Sequence, residues 1–365
     1  MKKTLALVGG GHAHIEVLRQ LSVNPAPDLD IALFDPSPTA WYSGMLPGVI
    51  AGHYDSAAAK LNLWALCQRA RVRFFETPIV SINGEGSRIE SGFGERHRYD
   101  VLSIDIGSVA RPIPASSGAY VVAVKPIEPL LTAIAEFDSV RTSSLIVRVI
   151  GGGAAAVETA LALAWRWRES SRRRVSLVCA NTLLNRHPAR ARRLALAACR
   201  RLNVEVIEKA QVRGIEPTRL RMDSGETLDT QLTVLATGYA PAPLLAKAQI
   251  GLAPDGSVSV NEALQCTANP EVFAAGDCAT IKGLAVPKSG VFAVRQGPVL
   301  AANLIAACQG RPLQRYEHNP QSLNLISLGV QRAIAVRNGL SLEGAWVWRW
   351  KDSIDRSWMQ KYAVS

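Results

Sequence analysis

Two segments of the chain carry the glycine pattern of a dinucleotide-binding turn. In the first, TLALVGGGHAHIEVLRQL, an apolar strand runs into Gly9 and Gly11. These glycines let the backbone turn tightly and approach a pyrophosphate at the start of the next helix. The following strand ends at Asp35, where a carboxylate can bind the ribose of an adenosine. The segment therefore predicts a nucleotide site, although His14 stands where the motif has its third glycine.

The second turn has the better glycine pattern but lacks its acid. After the strand LIVRVI, the residues Gly151, Gly153 and Ala156 match GxGxxG/A, whose small third residue permits close helix-strand packing. The position aligned with Asp35 is Cys179. Without a carboxylate there, a ribose 2′-phosphate is not repelled, so NADH and NADPH both stay open. Nearby arginines either attract that phosphate or form a solvated face: Arg172, Arg173, Arg174 and Arg186.

Histidines and cysteines do not suggest a metal site. His14 replaces the third glycine of the first turn, and His12 lies two residues before it. We expect these two side chains to line the phosphate or to pack against the sheet. The six cysteines form no CxxC pair, so neither a zinc site nor a dithiol redox centre is predicted.

The segment EVFAAGDCAT carries a third signal. An apolar strand delivers Gly276 and Asp277 to a sheet edge, where the carboxylate can accept hydrogen bonds from a polyol such as the ribityl chain of a flavin. The next helix begins near Gly290, and its positive end would face the flavin carbonyl. Lys288, just before it, either adds to this effect or is solvent-exposed.

These segments are spaced as two repeats of alternating strands and helices. The first runs from Thr4 to about Pro112, and the second from about Leu145 to Tyr239. The pattern predicts an α/β fold with two Rossmann-like domains. We expect a discontinuous FAD-binding domain (1–112 and 240–310), an inserted NAD(P)H-binding domain (113–239) and a small C-terminal α+β region (311–365) with a hairpin and an amphipathic helix.

Composition narrows the partners of the protein. Lys and Arg number 41 against 30 Asp and Glu, which favours an anionic partner such as a nucleotide phosphate or an acidic membrane. No stretch reaches the roughly 20 apolar residues that span a bilayer, so we expect a cytoplasmic protein. The final helix aligns Trp350, Ile354 and Trp358 on one face. That face either rests on the inner side of a membrane or packs on the body or a second subunit, in a monomer or homodimer. No nucleic-acid partner is expected.

The order of GGGHAHIEVL, YDVLSIDIGS, VIGGGAAAVE, VLATGYAP and FAAGDCA resembles the flavoproteins with two dinucleotide-binding domains, the pyridine nucleotide-disulfide oxidoreductase superfamily. Within it, the chain is most similar in character to type II NADH:quinone dehydrogenases and to the oxidoreductases linked to selenophosphate synthetase. The resemblance implies FAD bound by Gly9, Gly11, Asp35 and Asp277, and the neighbouring His12, Ala13, His14 and Gly276 are further candidates for that site. It implies NAD(P)H, as co-substrate, bound by Gly151, Gly153, Ala156 and Glu158, and Cys179 and Gly238 are further candidates for that site.

The chain departs from the disulfide reductases of this superfamily, which carry a cysteine pair near the flavin. The corresponding stretch, WYSGMLPGVIAGHY, has Ser43 and Met45 instead. Electrons are therefore expected to pass from flavin directly to a small acceptor, with a quinone favoured. Alternatives are a protein or selenium-linked substrate, or a non-catalytic flavin-binding redox sensor. No catalytic nucleophile is expected, and the candidates next to the flavin are Ser43, Gly44, Met45, Lys288, Gly290 and Val291.

Overall fold

The computed structural model describes residues 2–139 and 144–363. Its helices are α1 (His12–Val23), α2 (Leu46–Ala51), α3 (Leu63–Ala70), α4 (Ile127–Ser139), α5 (Ala154–Arg166), α6 (Ala189–Arg201), α7 (Pro243–Ala246), α8 (Gly290–Cys308) and α9 (Ala345–Tyr362). Short 3₁₀ helices cover Ser43–Met45, Ser56–Ala59 and Gly276–Cys278.

The strands of the first half are β1 (Lys3–Val8), β2 (Leu29–Asp35), β3 (Thr39–Trp41), β4 (Lys60–Asn62), β5 (Arg73–Glu76), β6 (Ile79–Asn83), β7 (Arg88–Ser91), β8 (Arg96–Arg98), β9 (Val101–Ile104), β10 (Val109–Ala110), β11 (Val121–Ala123), β12 (Leu145–Ile150) and β13 (Arg173–Cys179). Those of the second half are β14 (Glu205–Glu208), β15 (Val212–Ile215), β16 (Arg219–Met222), β17 (Thr227–Asp229), β18 (Leu232–Leu235), β19 (Tyr239–Ala240), β20 (Val258–Val260), β21 (Val272–Ala274), β22 (Ala279–Ile281), β23 (Asn324–Leu328), β24 (Val330–Arg337) and β25 (Leu340–Gly344).

Two parallel five-stranded sheets confirm the predicted α/β fold class. The first has the order β21-β9-β1-β2-β5, so a strand from late in the chain completes a sheet begun at the N-terminus. The second has the order β11-β18-β12-β13-β14. In both, the central strands are covered by helices and are buried, which explains their nearly continuous apolar sequence. The carboxyl ends of these strands form the edges where ligands bind in such sheets.

Three small antiparallel sheets surround these two, with the orders β6-β7-β8, β15-β16-β17 and β23-β24-β25. The sequence predicts only a hairpin in the last of them. Short strands of mixed polarity give a weak periodic signal, which explains why the other two are not predicted. The C-terminal sheet packs through β23 against α5, the helix that follows the second glycine turn, so it does not stand apart from the second domain.

Helix α8 corrects the expectation that no stretch of the chain is long and apolar enough to span a bilayer. It has 19 residues and a mean hydropathy of 1.4, enough by length and composition to cross a membrane. More than half of that stretch is buried inside the protein, mainly against α1, where a Cβ at Gly297 would lie 2.7 Å from the Glu16 Cβ. The helix contains Arg295 and Pro298. Its apolar character is thus used in the core of the first sheet.

The C-terminal helix α9 packs on the protein with one face and leaves another exposed. Lys351, Asp355 and Tyr362 are buried, and Trp358 is stacked on Tyr42 with ring centroids 4.1 Å apart. Trp346, Trp350 and Ile354, spaced four residues apart, are 48%, 41% and 39% exposed. The apolar face predicted from Trp350, Ile354 and Trp358 is therefore divided, since Trp358 belongs to the packed side.

Candidate functional site

The first glycine turn connects β1 to α1 and has little room for side chains. Gly9 adopts a φ of +90°, and a Cβ there would lie 2.5 Å from the Asp105 carbonyl oxygen. A Cβ on Gly11 would lie 2.3 Å from the Asp105 carboxylate. Asp35, at the end of β2, accepts a hydrogen bond from the Gly10 amide at 2.6 Å. The predicted ribose acid thus lies directly beside the turn.

His14 takes the place of the third glycine by packing against the sheet. Its Nδ1 lies 2.6 Å from the Gly9 carbonyl oxygen and its Nε2 lies 2.7 Å from Ser103 Oγ. The side chain is fully buried, and burial lowers its pKa to about 4, so the imidazole is neutral. Of the two roles expected for His14, the structure shows the packing role.

Asp105, which the sequence analysis did not single out, closes the positive end of α1. One carboxylate oxygen accepts hydrogen bonds from the amides of Ala13, at 2.7 Å, and His14, at 3.0 Å. These amides were expected to face a pyrophosphate. Burial raises the Asp105 pKa to about 7 despite these bonds. The only hint in the sequence is that an acid, Asp105, directly follows β9, whereas Ala236 follows β18 at the equivalent point of the second repeat.

Asp277 and His12 each leave a polar atom ready for a ligand. Asp277 is 8% exposed; its Oδ2 accepts from Ser108 Oγ at 3.1 Å and from Lys125 Nζ at 3.0 Å. Within the described residues, its buried Oδ1 and the Nε2 of His12 have no hydrogen-bond partner. Two buried, unpartnered polar atoms beside a glycine turn fit the polyol and phosphate groups of FAD.

The candidates that would cover the flavin ring come together at the start of α8. A Cβ on Gly290 would lie 3.8 Å from both His12 Nε2 and Ser43 Oγ. Met45 is buried, and the Gly44 carbonyl accepts a hydrogen bond from Lys351 Nζ at 2.6 Å. The neighbouring Val291 is 41% exposed.

Lys288 does not extend freely from the start of α8. Its amine donates to the Ala279 carbonyl and, at 2.9 Å, to Thr280 Oγ1. Burial lowers its pKa. The residue therefore anchors the loop before α8 to β22 and is not simply solvent-exposed. An effect of its charge on a flavin stays a prediction.

The second glycine turn joins β12 to α5 and is more open than the first. Gly151 has a φ of +149°, and a Cβ there would lie 2.2 Å from the Ala236 carbonyl oxygen. Gly153 is the N-cap of α5 and provides no side-chain hydrogen bond to it. A Cβ built on Gly153 would have no atom within 4 Å, so the space in front of it is open. Ala156 is fully buried, as its packing role requires. Gly238, with a φ of +87°, also borders open space.

Cys179 marks the missing ribose acid and is inaccessible. Its Sγ lies 3.2 Å from the Gly151 carbonyl oxygen, and burial raises its pKa to about 12. Arg172, Arg173 and Arg174 lie at the opposite end of β13, roughly 20 Å away for a strand of this length. They are therefore too far away to bind a 2′-phosphate beside Cys179. Arg186, in the loop after Cys179, is exposed and on the correct side.

Glu158, expected in the NAD(P)H site, contacts the C-terminal sheet. Its Oε1 accepts a hydrogen bond from the Ser327 amide at 2.9 Å. Burial raises its pKa to about 7, and the charge of Lys351 opposes that shift. The carboxyl group can therefore hold or release a proton near neutral pH.

The cysteines provide no accessible thiol. All six are unpaired and buried: Cys67, Cys179, Cys199, Cys266, Cys278 and Cys308. Burial raises the pKa of the Cys278 thiol to about 12 and that of Cys308 to about 11. In residues 2–139 and 144–363 no three His, Cys, Asp or Glu side chains are grouped to hold a metal ion.

The pyridine nucleotide-disulphide oxidoreductase family model matches residues 3–297, which include both glycine turns and Asp277. The chain belongs to this family. FAD and NAD(P)H are the cofactors of the family, and the two turns described above are the segments suited to them. The protein is therefore an FAD- and NAD(P)H-dependent oxidoreductase by family.

Individual relatives are distant. The chain is 25% identical over 345 residues to nitrite reductase [NAD(P)H] of Bacillus subtilis, covering 90% of this chain but only 40% of that protein. It is 22% identical over 399 residues to the type II NADH:quinone oxidoreductase of Haemophilus influenzae, covering 94% and 90% of the two chains. The crystal structure of sulfide:quinone oxidoreductase from Aquifex aeolicus has the same fold, with a TM-score of 0.83, 18% identity, and coverage of 99% and 91%.

Proposed function

We propose that the protein is an NAD(P)H:quinone reductase that passes electrons from FAD to a quinone without a redox dithiol. One observation carries the proposal: Ser43, Gly44 and Met45 occupy the segment that would hold a redox-active cysteine pair, while every thiol is buried. Two of the similar proteins named above are quinone oxidoreductases, which supports the choice of acceptor.

The residues of the first turn would hold FAD. Gly9 and Gly11 let the turn pack tightly against Asp105, so that its backbone could approach a pyrophosphate. Asp35 would bind the ribose, and Asp277 Oδ1 would accept from the ribityl chain. When bound, the flavin accepts a hydride from the nicotinamide and delivers two electrons onward. Ser43 to Met45 and the start of α8 then exclude water from one side of the ring.

The residues of the second turn would hold NAD(P)H. The amides at the start of α5 are available for a pyrophosphate because Gly153 leaves open space in front of them. Glu158 faces Lys351 and Asp355, so its proton affinity depends on their charges. It would hold a proton at the junction of α5 and the C-terminal sheet while quinone reduction consumes protons.

A peripheral membrane contact is part of the proposal. Trp346, Trp350 and Ile354 form an exposed apolar stripe on α9, and Leu342 on β25 is exposed as well. Tryptophans are favoured at the boundary between lipid head groups and acyl chains. Because the opposite face of α9 packs beside Tyr42, such a contact would bring this part of the protein close to a membrane-dissolved quinone.

Steady-state assays with a panel of acceptors test the function. With NADH or NADPH as donor, we expect turnover with short-chain quinones and no turnover with lipoamide or glutathione disulfide. Turnover confined to the disulfides would refute the proposal.

A further inference from the structure

A lysine that follows a strand of the second sheet contacts an aspartate at the carboxyl edge of the first sheet. Lys125 follows β11, at the carboxyl edge of the second sheet, yet its Nζ lies 3.0 Å from Oδ2 of Asp277. Asp277 belongs to the 3₁₀ helix that follows β21 in the first sheet. The lysine side chain is 41% exposed and the aspartate side chain 9%, so this ion pair is largely shielded on its acidic side.

The hydrogen bonds to Asp277 are unequally distributed between its two oxygens. Oδ2 accepts from both Lys125 Nζ and Ser108 Oγ, whereas the buried Oδ1 has no partner among the described residues. Two donors on one oxygen fix the rotation of the carboxylate. The other oxygen is thereby held free in a position where a ligand hydroxyl can donate to it.

The charge of Lys125 also acts on neighbouring side chains. Burial lowers the pKa of His12, and the lysine lowers it further; burial raises the pKa of Asp105, and the lysine opposes that rise. The pocket thus contains two carboxyl groups, Asp105 and Asp277, before any cofactor phosphate is added. A cation there offsets repulsion between these carboxylates and an anionic ligand.

We propose that Lys125 is a positioning residue for FAD: it neutralises and orients Asp277 so that Oδ1 accepts from the ribityl chain. This inference rests on the assignment of Asp277 to FAD in the proposed function. Because Lys125 comes from the sheet that carries the NAD(P)H turn, the ion pair that would orient Asp277 for FAD also links the two sheets.

Release of FAD from the purified holoprotein provides the test. Graded dilution followed by ultrafiltration gives the FAD dissociation constant, with flavin fluorescence as the readout. Lys125→Met is expected to raise that constant roughly tenfold or more, since an ion-paired hydrogen bond is lost. Lys125→Arg should restore most of the affinity. Lys282→Met, which removes the same charge from an exposed site directly after β22, should leave the constant unchanged.

A double-mutant cycle tests the route through Asp277. If Lys125 acts through that carboxylate, Lys125→Met combined with Asp277→Asn will bind FAD no worse than Asp277→Asn alone. Wild-type affinity in Lys125→Met, or fully additive losses in the double variant, would overturn the inference. Should Lys125→Met fail to fold, Ser108→Ala removes the second donor to the same oxygen, and an unchanged constant there would also count against it.

The outcome is separable from the proposed activity. The dilution measurement involves neither NAD(P)H nor a quinone, so loss of quinone reductase activity would not affect it. If Asp277→Asn bound FAD with wild-type affinity, Asp277 would not be an FAD ligand, and the inference about Lys125 would fail with that assignment.

Discussion

The imidazole of His14 bridges a glycine turn and a neighbouring strand, with its Nε2 2.7 Å from Ser103 Oγ and its Nδ1 2.6 Å from the Gly9 carbonyl. Ser103 lies in β9, beside Leu7 of β1. A glycine at position 14 would leave the space between α1 and the sheet empty. The departure from GxGxxG is thus compensated by a hydrogen-bonded side chain of matching size.

Restoring the glycine should therefore harm the protein. His14→Gly is expected to lower the free energy of unfolding by about 3 kcal/mol, since it creates a cavity and adds a flexible residue to a helix. Ser103→Ala, which only removes the partner of Nε2, should cost about 1 to 2 kcal/mol. Urea denaturation followed by circular dichroism measures both. Equal or greater stability of His14→Gly would show that the bridge is not needed.

The glycines of the second turn should respond differently to alanine. Gly151→Ala places a Cβ 2.2 Å from the Ala236 carbonyl oxygen, so we expect a destabilised protein. In Gly153→Ala the new methyl group would have no protein atom within 4 Å, so the fold should persist. The methyl group would instead obstruct the pyrophosphate of the nucleotide. The expected result for Gly153→Ala is an unchanged melting temperature with at least about tenfold weaker NAD(P)H binding. Unaltered nucleotide affinity would place the pyrophosphate elsewhere.

Glu158 makes the stability of the protein depend on pH. Its pKa rises from 4.5 to about 7 in the folded chain because burial penalises the charged form. Between these values the folded state binds more protons than the unfolded state, so stability falls as pH rises from about 4.5 to 7, by up to about 3 kcal/mol. The charge of Lys351 on α9 opposes this rise in the Glu158 pKa, and that of Asp355 adds to it.

Glu158→Gln should flatten that dependence. Melting temperatures recorded from pH 5 to pH 8 without nucleotide would show a smaller decline in the variant than in the wild type. Asp100→Asn provides a control, because Asp100 accepts from the Thr4 amide at the far end of β9 and its carboxylate is exposed. If the melting temperatures of wild type and Glu158→Gln fell equally with pH, Glu158 would not be the group that binds the extra proton in the folded state.

The exposed stripe of α9 should govern membrane binding without affecting chemistry. Trp350→Glu introduces a charge at a 41% exposed position, so we expect sedimentation with anionic lipid vesicles to fall severalfold. Turnover of a water-soluble quinone should stay at the wild-type level. Gln360→Glu, an exposed polar position on the same helix, serves as the matched control. Equal vesicle binding by wild type and Trp350→Glu would argue for a different role of this face.

The sequence predicts best the buried strands that lead into the glycine turns. The strands β1 and β12 lie at the predicted residues because buried parallel strands have continuous apolar sequences. Asp105 and Lys125 could not be found this way. Each acquires its role from a contact with a residue more than 90 positions away along the chain, Ala13 and Asp277 respectively. No local spacing records such a contact.

The C-terminal region shows the same limit. Periodicity identified an amphipathic helix but not which of its faces packs, because Trp358 and Trp350 are equally apolar in sequence. Two contacts in the folded chain determine which face packs. Trp358 stacks on Tyr42, and Lys351 Nζ forms a buried ion pair with Asp355 Oδ2 at 2.5 Å. The apolar length of α8 likewise says nothing about whether protein or lipid surrounds it.

The route of the electrons can be followed in a single turnover. The FAD-loaded protein is first treated with N-ethylmaleimide under native conditions, then mixed anaerobically with one equivalent of NADH or NADPH, and finally with a short-chain quinone. Because all six thiols are buried, we predict rapid bleaching of the flavin absorbance and full reoxidation by the quinone at unchanged rates. Loss of either step after alkylation, with the flavin still bound, would contradict electron transfer without a thiol relay.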